Sequence, residues 1–289
     1  MARQFNPGQL QTGSLFNISG SLTVTGSALI TGSLGITGST SIRGTLNQAS
    51  ASLASGKFAH AQGFNVTASG QYSHAEGQST NASGHFSHAE GQATIANGQY
   101  SHAEGVSTTT IASYSHAEGF STTATGYASH AEGYITNASG SYSHAEGEST
   151  VAQGRYSHAE GVTTTATGDY SHAEGYGTNA TGDVSHAEGY YTVAQGAYQH
   201  VQGQYNLASS AQSAFIHGNG TGTGALRSNL IFASGSQVQI TGSLMINDIL
   251  QLSRRTTTPT AVEGMIIASG SAGSSKVYYY NGTTWNALF

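Results

Sequence analysis

The chain has 289 residues, a formal net charge of −6, 40 glycines, no cysteine and only 8% charged residues. That length ordinarily holds one or two compact domains, but glycine this frequent in a strict period excludes collagen and disorder alike, and favours thin stacked layers. Without cysteine there are no disulfides or thiolate metal sites, and with Arg155 the only Lys or Arg between Phe58 and Tyr205, binding to nucleic acid is excluded.

Residues 1–19 form a polar lead with a turn signal at Pro7-Gly8, either a disordered terminus or a docking tail. The start, Met1 to Pro7, lacks the apolar core of a signal peptide, and no apolar run approaches a membrane span, so no membrane insertion is expected. From Gly20 a Gly-Ser pair recurs every six residues, with Val24, Ile30, Ile36 and Ile42 in step. β-branched residues between glycines make short strands and tight turns, and a single such ribbon has too little apolar surface to stand alone. Residues 20–57 are therefore read as a triple-stranded β shaft, with Asn47–Lys57 as its joint to the next array. A single-chain hexapeptide β-helix is the other reading of the hexads.

Residues 58–205 repeat one sentence, Tyr-Ser-His-Ala-Glu-Gly followed by Thr-x-Ala-x-Gly, in eleven copies of 14 residues. A fixed period of this size means a solenoid. In Ser-His-Ala-Glu-Gly, alternation puts His and Glu on one face and Ser, Ala and Gly on the other; Thr, Ala and Gly share a face in the second segment. If the small faces look at each other, two strands of about five residues per coil enclose an interior of Ala and Thr, with coils about 4.8 Å apart. The two glycines of each coil are expected at turns that need positive φ.

This leaves two outward columns. They are His74, His88, His102, His116, His130, His144, His158, His172 and His186, beside Glu76, Glu90, Glu104, Glu118, Glu132, Glu146, Glu160, Glu174 and Glu188. Stacked like charges in water repel without gain, so the array predicts self-association, each His column meeting a Glu column of a neighbouring copy. Gln62 and Gln202 replace glutamate at the two ends, either to keep the hydrogen bond without the charge or as ordinary terminal degeneracy. No cofactor and no metal is expected, because His–Glu hydrogen bonds satisfy these groups without an ion in every layer. No catalytic residue is expected either, since a motif written nine times is architecture. The Thr column from Thr80 to Thr192 points inward, and the aromatics Tyr72, Phe86, Tyr100, Tyr114, Tyr142, Tyr156 and Tyr170 form a stacked ridge or a glycan-binding surface.

Residues 206–253 hold one degenerate coil at Ala214–Gly218 and two strands, at 229–235 and 237–247. Residues 254–289 read as a small β-meander whose Asn281-Gly282 sits at a hairpin turn, with Tyr278, Tyr279, Tyr280 and Trp285 as candidates either for binding a receptor glycan or for the module's own core.

The Ser-His-Ala-Glu-Gly and Thr-x-Ala-x-Gly segments, at their spacing, resemble the head repeat of trimeric autotransporter adhesins. That repeat is a 14-residue left-handed parallel β-roll with the signature Ser-Val-Ala-Ile-Gly. The resemblance implies an all-β homotrimer of rolls about one axis; His and Glu in place of Val and Ile imply a polar interface. This variant of the repeat, the Gly-Ser hexads and the closing Tyr-Tyr-Asn-Gly-Thr-Thr-Trp also resemble bacteriophage tail-fibre and virion-appendage proteins. They imply a structural protein of the phage particle, joined to other virion proteins through one end and involved in host attachment, with a host surface glycan as partner. A bacterial cell-surface adhesin and a capsid decoration or self-assembling filament are the alternatives.

Overall fold

A computed structural model describes residues 46–48, 52–235, 237–242, 266–269 and 276–287. The polar lead and nearly all of the hexad stretch lie outside the described residues. Two units divide the chain, Met1–Arg43 and Gly44–Phe289, and everything described belongs to the second.

Each coil holds one five-residue strand that begins on the repeat histidine, such as His74–Gln78 or His130–Tyr134, and one two-residue strand, such as Asn81–Ala82 or Asn137–Ala138. The long strands build a fifteen-stranded sheet and the short ones an eleven-stranded sheet. Neighbouring coils pair parallel and in register, His130 against His116 and His144, and Glu132 against Glu118 and Glu146. The second strand is shorter than the expected five residues. Its turn begins directly after the alanine, where the N–H groups of Ser83 and Gly84 both donate to Ala96 O, at 3.0 and 3.1 Å.

The interior is as small as the sequence requires. Ala75, Ala89 and Ala103 of the long strands and Ala82 and Ala96 of the short ones are fully buried, as are Thr80 and Thr94 within 1%. Ser73 is buried too, and its Oγ donates to Gly70 O at 2.7 Å, so the hydroxyl is satisfied inside its own turn. Alternation on the long strand thus sends Ser and Ala inward and His and Glu outward.

The glycines divide their work differently from expectation. The one after Glu does take positive φ (Gly77, 113°), but the one ending the short strand, such as Gly84, does not. Gly84 is needed for close approach instead: a Cβ there would lie 2.0 Å from the carbonyl oxygen of Gly98 in the next coil. The left-handed corners fall on other residues, Tyr72 and Ser79, both at φ 57°. A left-handed residue costs about 1–2 kcal/mol. Each corner regains part of that by reaching back one coil, Tyr72 N–H to Lys57 O and Ser79 N–H to Phe64 O, both at 2.9 Å.

The ladder starts earlier than the repeat does: Leu46–Gln48 already pairs with His60–Gln62, and Leu53–Ala54 with Thr67–Ala68. At the other end Phe215–Asn219 adds one more parallel strand, after a coil lengthened by one residue because Phe215 pairs with His200. No short strand follows Val193–Ala194 in its sheet. Asn206 replaces it: Val193 N–H donates to its Oδ1 at 2.7 Å, and its Nδ2 donates to Val193 O at 3.0 Å. Arg227 locks the end by donating to Tyr191 O and Asn206 O, at 2.8 and 3.1 Å. The sheet then closes with the antiparallel strands Asn229–Ser234 and Gln237–Ile240. Separately, Ile266–Ser269, Lys276–Tyr280 and Trp285–Ala287 pair as a three-stranded antiparallel sheet. The only helix among the described residues is the single turn Gly224–Leu226.

Candidate functional site

The outward face of the long-strand sheet carries the His and Glu columns. Parallel in-register pairing repeats each side chain at the strand spacing, so the imidazoles of His74 to His186 stack with centroids 4.7–4.9 Å apart and planes within 6°. Each ring meets a carboxylate of its own chain, a contact that reasoning from like-charge columns did not foresee. His74, His88 and His102 lie 3.4–3.5 Å from the glutamate of their own coil. From His144 onward the partner is the glutamate of the preceding coil, reaching 2.9 Å for His186 and Glu174. Glu132 stands at the change and faces both His130 (3.9 Å) and His144 (3.7 Å).

The side chains are only partly covered, yet the Nε2 atoms of His74 through His172 are out of solvent contact and make no hydrogen bond of good geometry. Burial is the largest influence on the imidazoles of His74, His88, His102, His116, His130 and His172; charge on neighbouring histidines comes second, and together they hold these rings below the ordinary value. Their glutamates pull the other way without prevailing. Beside the columns runs a shallow groove whose floor is the exposed glycine strip and whose wall is the glutamates, for instance Glu118, Gly119, Glu132 and Gly133. Five His/Glu triads bring one ligand atom from each residue within 4.8 Å of one another.

A second outward feature runs along the corner before the buried serine. Tyr72, Phe86, Tyr100 and Tyr114 stack at 4.9–5.1 Å, as do Tyr142, Tyr156 and Tyr170 at 4.9 Å. Tyr127 bridges the two runs edge-on, one position early, because Ala128 occupies the regular place. These rings are about half exposed, so the largest apolar groups of the roll lie outside it and the alanines inside. Because each ring covers its neighbour's face, the ridge offers edges rather than open faces. A further cluster, Tyr176, Tyr190, Tyr191 and Tyr205, gathers at the C-terminal corner, where Gly177 leaves room for the Tyr191 ring; a Cβ there would come within 2.7 Å of it. The sequence held that signal in Tyr190-Tyr191 and Gly177, but the periodic reading passed over it.

The candidate glycan aromatics Tyr278, Tyr279 and Tyr280 stand on one strand and Trp285 on the next, all half-buried, with the Tyr280 and Trp285 rings 5.2 Å apart. Asn281 closes their hairpin by accepting the N–H groups of Thr283 and Thr284 at 3.0 and 2.9 Å.

These features define the class: a parallel β-solenoid with a 14-residue coil, an alanine and threonine core, and a polar His/Glu face. Beyond that class, no known protein family matches the chain, and no curated protein matches its sequence.

Proposed function

We propose that the chain is a structural, fibrous protein that works as a homotrimer, a tail-fibre or spike-like appendage of a phage particle involved in host attachment. The observation that carries the self-association is the inversion of ordinary burial: Tyr100 and Tyr156 are 45% and 47% exposed while the core is alanine. Contiguous exposed apolar surface of this extent marks an interaction surface. The His/Glu face supplies the polar half of the contact, its uncommitted imidazole nitrogens meeting carboxylates of a neighbouring roll. In this reading residues 20–45 form a triple-stranded shaft, the strands at Leu46–Gln48 and Leu53–Ala54 being already part of the roll. Residues 254–289 form a terminal module in which Tyr278, Tyr279, Tyr280 and Trp285 meet a host glycan.

Light scattering on the purified full chain tests the oligomer. It should give three times the chain mass of 29.5 kDa, and a single-chain mass removes the reading. Immunolabelling of purified virions tests the location. Label at tail tips supports the appendage; label on capsid faces moves the protein to the decoration class, and an unlabelled particle removes it from the virion.

A further inference from the structure

We propose that the His/Glu face binds borderline divalent transition-metal ions, with Zn2+ as the type, each ion held by side chains of two successive coils. Four of the five triads offer two imidazoles and one carboxylate, such as His144, Glu146 and His158, and the fifth offers Glu118, His130 and Glu132. Two nitrogens and one carboxylate oxygen with an open fourth position is a donor set suited to Zn2+. Mg2+ and Ca2+, which take oxygen ligands, are poorly served by it.

The geometry needs one adjustment, and the structure leaves room for it. Ligand atoms on a tetrahedral zinc with bonds of about 2.1 Å sit about 3.4 Å apart. The His–Glu distances, 3.3 Å for His158 to Glu146 and 3.4 Å for His102 to Glu104, already meet that. Adjacent rings, 4.8 Å apart at His144 and His158, must lean together by about 0.7 Å each to meet the same spacing. Nothing opposes this, because the Nε2 atoms of both rings lack a hydrogen bond and the side chains are about one-third exposed at 35% and 34%. A ring that leans toward one neighbour leans away from the other, so an ion in one gap empties the next. The face therefore takes an ion at alternate gaps rather than in every layer. Two of the five triads share His102, so at most four fill at once, five less one. Every triad lies within one chain; in the trimer proposed above, a neighbouring roll's carboxylate facing these nitrogens takes the open fourth position on the ion rather than the nitrogens themselves.

The full chain, stripped with chelator, is titrated at neutral pH with ZnCl2 by calorimetry and equilibrium dialysis. Binding should saturate at no more than four ions per chain. Co2+ on the same protein should give the intense visible bands of tetrahedral coordination. The combined His102→Gln, His130→Gln, His158→Gln and His186→Gln variant removes a ligand from every triad and should bind none, with circular dichroism verifying its fold. Should that variant not fold, His102→Gln alone leaves three triads, and its saturation should fall to three. Absence of Zn2+ binding overturns the inference. So do an octahedral Co2+ spectrum, unchanged stoichiometry in His102→Gln, and Ca2+ competing as well as Zn2+.

Discussion

The two glycines of a coil should respond differently to alanine, and the chain already contains one half of the experiment. Ala112 stands where other coils have the second glycine. In coils with glycine the turn N–H makes an extra bond, as Gly140 N–H does to Ala152 O and Gly126 N–H to Ala138 O, both at 3.2 Å. Around Ala112 the equivalent bonds from the N–H groups of Gly98, Ala112 and Ser115 are absent. Gly140→Ala puts a Cβ 1.9 Å from Gly154 O, so the coils must part locally and the same three bonds are lost. Long bonds of this kind contribute about 0.5–1 kcal/mol each. Alanine regains about 0.5–1 kcal/mol through the unfolded chain, leaving a net loss of about 1–2 kcal/mol. Gly133→Ala meets a similar clash, 2.3 Å from Gly147 O, and adds a φ of 107° that alanine does not tolerate. Strain at such a position costs about 1–3 kcal/mol more. Urea denaturation of parent and variants, followed by circular dichroism, ranks them. A Gly140→Ala protein as stable as the parent, or a Gly133→Ala protein no worse than Gly140→Ala, would refute the division of labour between the two glycines.

Three further outcomes follow from the interior, the cap and the histidines. The buried hydroxyl of Thr136 has no partner, and Val66 fills the equivalent place in the first repeat, so Thr136→Val should raise stability by about 1 kcal/mol in the same denaturation assay. Asn206→Ala strips both bonds from Val193, and should destabilise the C-terminal end by about 2–3 kcal/mol. Hydrogen exchange should show that loss at the last coils and not at His74–Ala96. Six imidazoles are held below the ordinary histidine value of about 6.5, mainly by burial, so the unfolded chain binds protons first as pH falls. Their contribution is complete above the unfolded value and is lost as pH drops through it toward the folded values. Melting temperature in chelator should therefore decline from about pH 7 to about pH 5, and a flat profile would contradict burial of the rings.

The solenoid, its period and the inward or outward sense of the Ser, His, Ala and Glu of each long strand were legible in the sequence, because in-register parallel pairing converts spacing directly into columns. The glycine that alternation put inside is exposed, as at Gly77. Alternation placed Ala75 and Ser73 inside and His74 and Glu76 outside, as found. The corners were not legible, for a physical reason. Positive φ is ordinarily read from glycine, whereas here Tyr72 and Ser79 take it because their N–H groups must reach the preceding coil. The glycine at 84 is fixed instead by a neighbour one coil away, which local turn rules do not see. The contact between each histidine and a glutamate of its own chain was missed for a related reason. Two residues apart on a strand look separated in sequence, but long side chains on one face close that gap.

That contact also bears on Gln202. From His144 onward each histidine uses the glutamate of the preceding coil, and His200 accordingly lies 3.3 Å from Glu188. A glutamate at 202 would have to serve the histidine of the next coil, and the residue paired with His200 there is Phe215. An aromatic ring thus takes the place of the next-coil histidine, and the imidazole in register with residue 202 is that of His217, which pairs with it directly. The offset in pairing therefore removes the partner that glutamates of the later coils use, and leaves a glutamate at 202 with His200 of its own coil and His217 beside it. Gln202→Glu tests what the displaced partner is worth: if the offset pairing sets the residue the melting temperature falls, and if His200 and His217 serve in its stead it does not change.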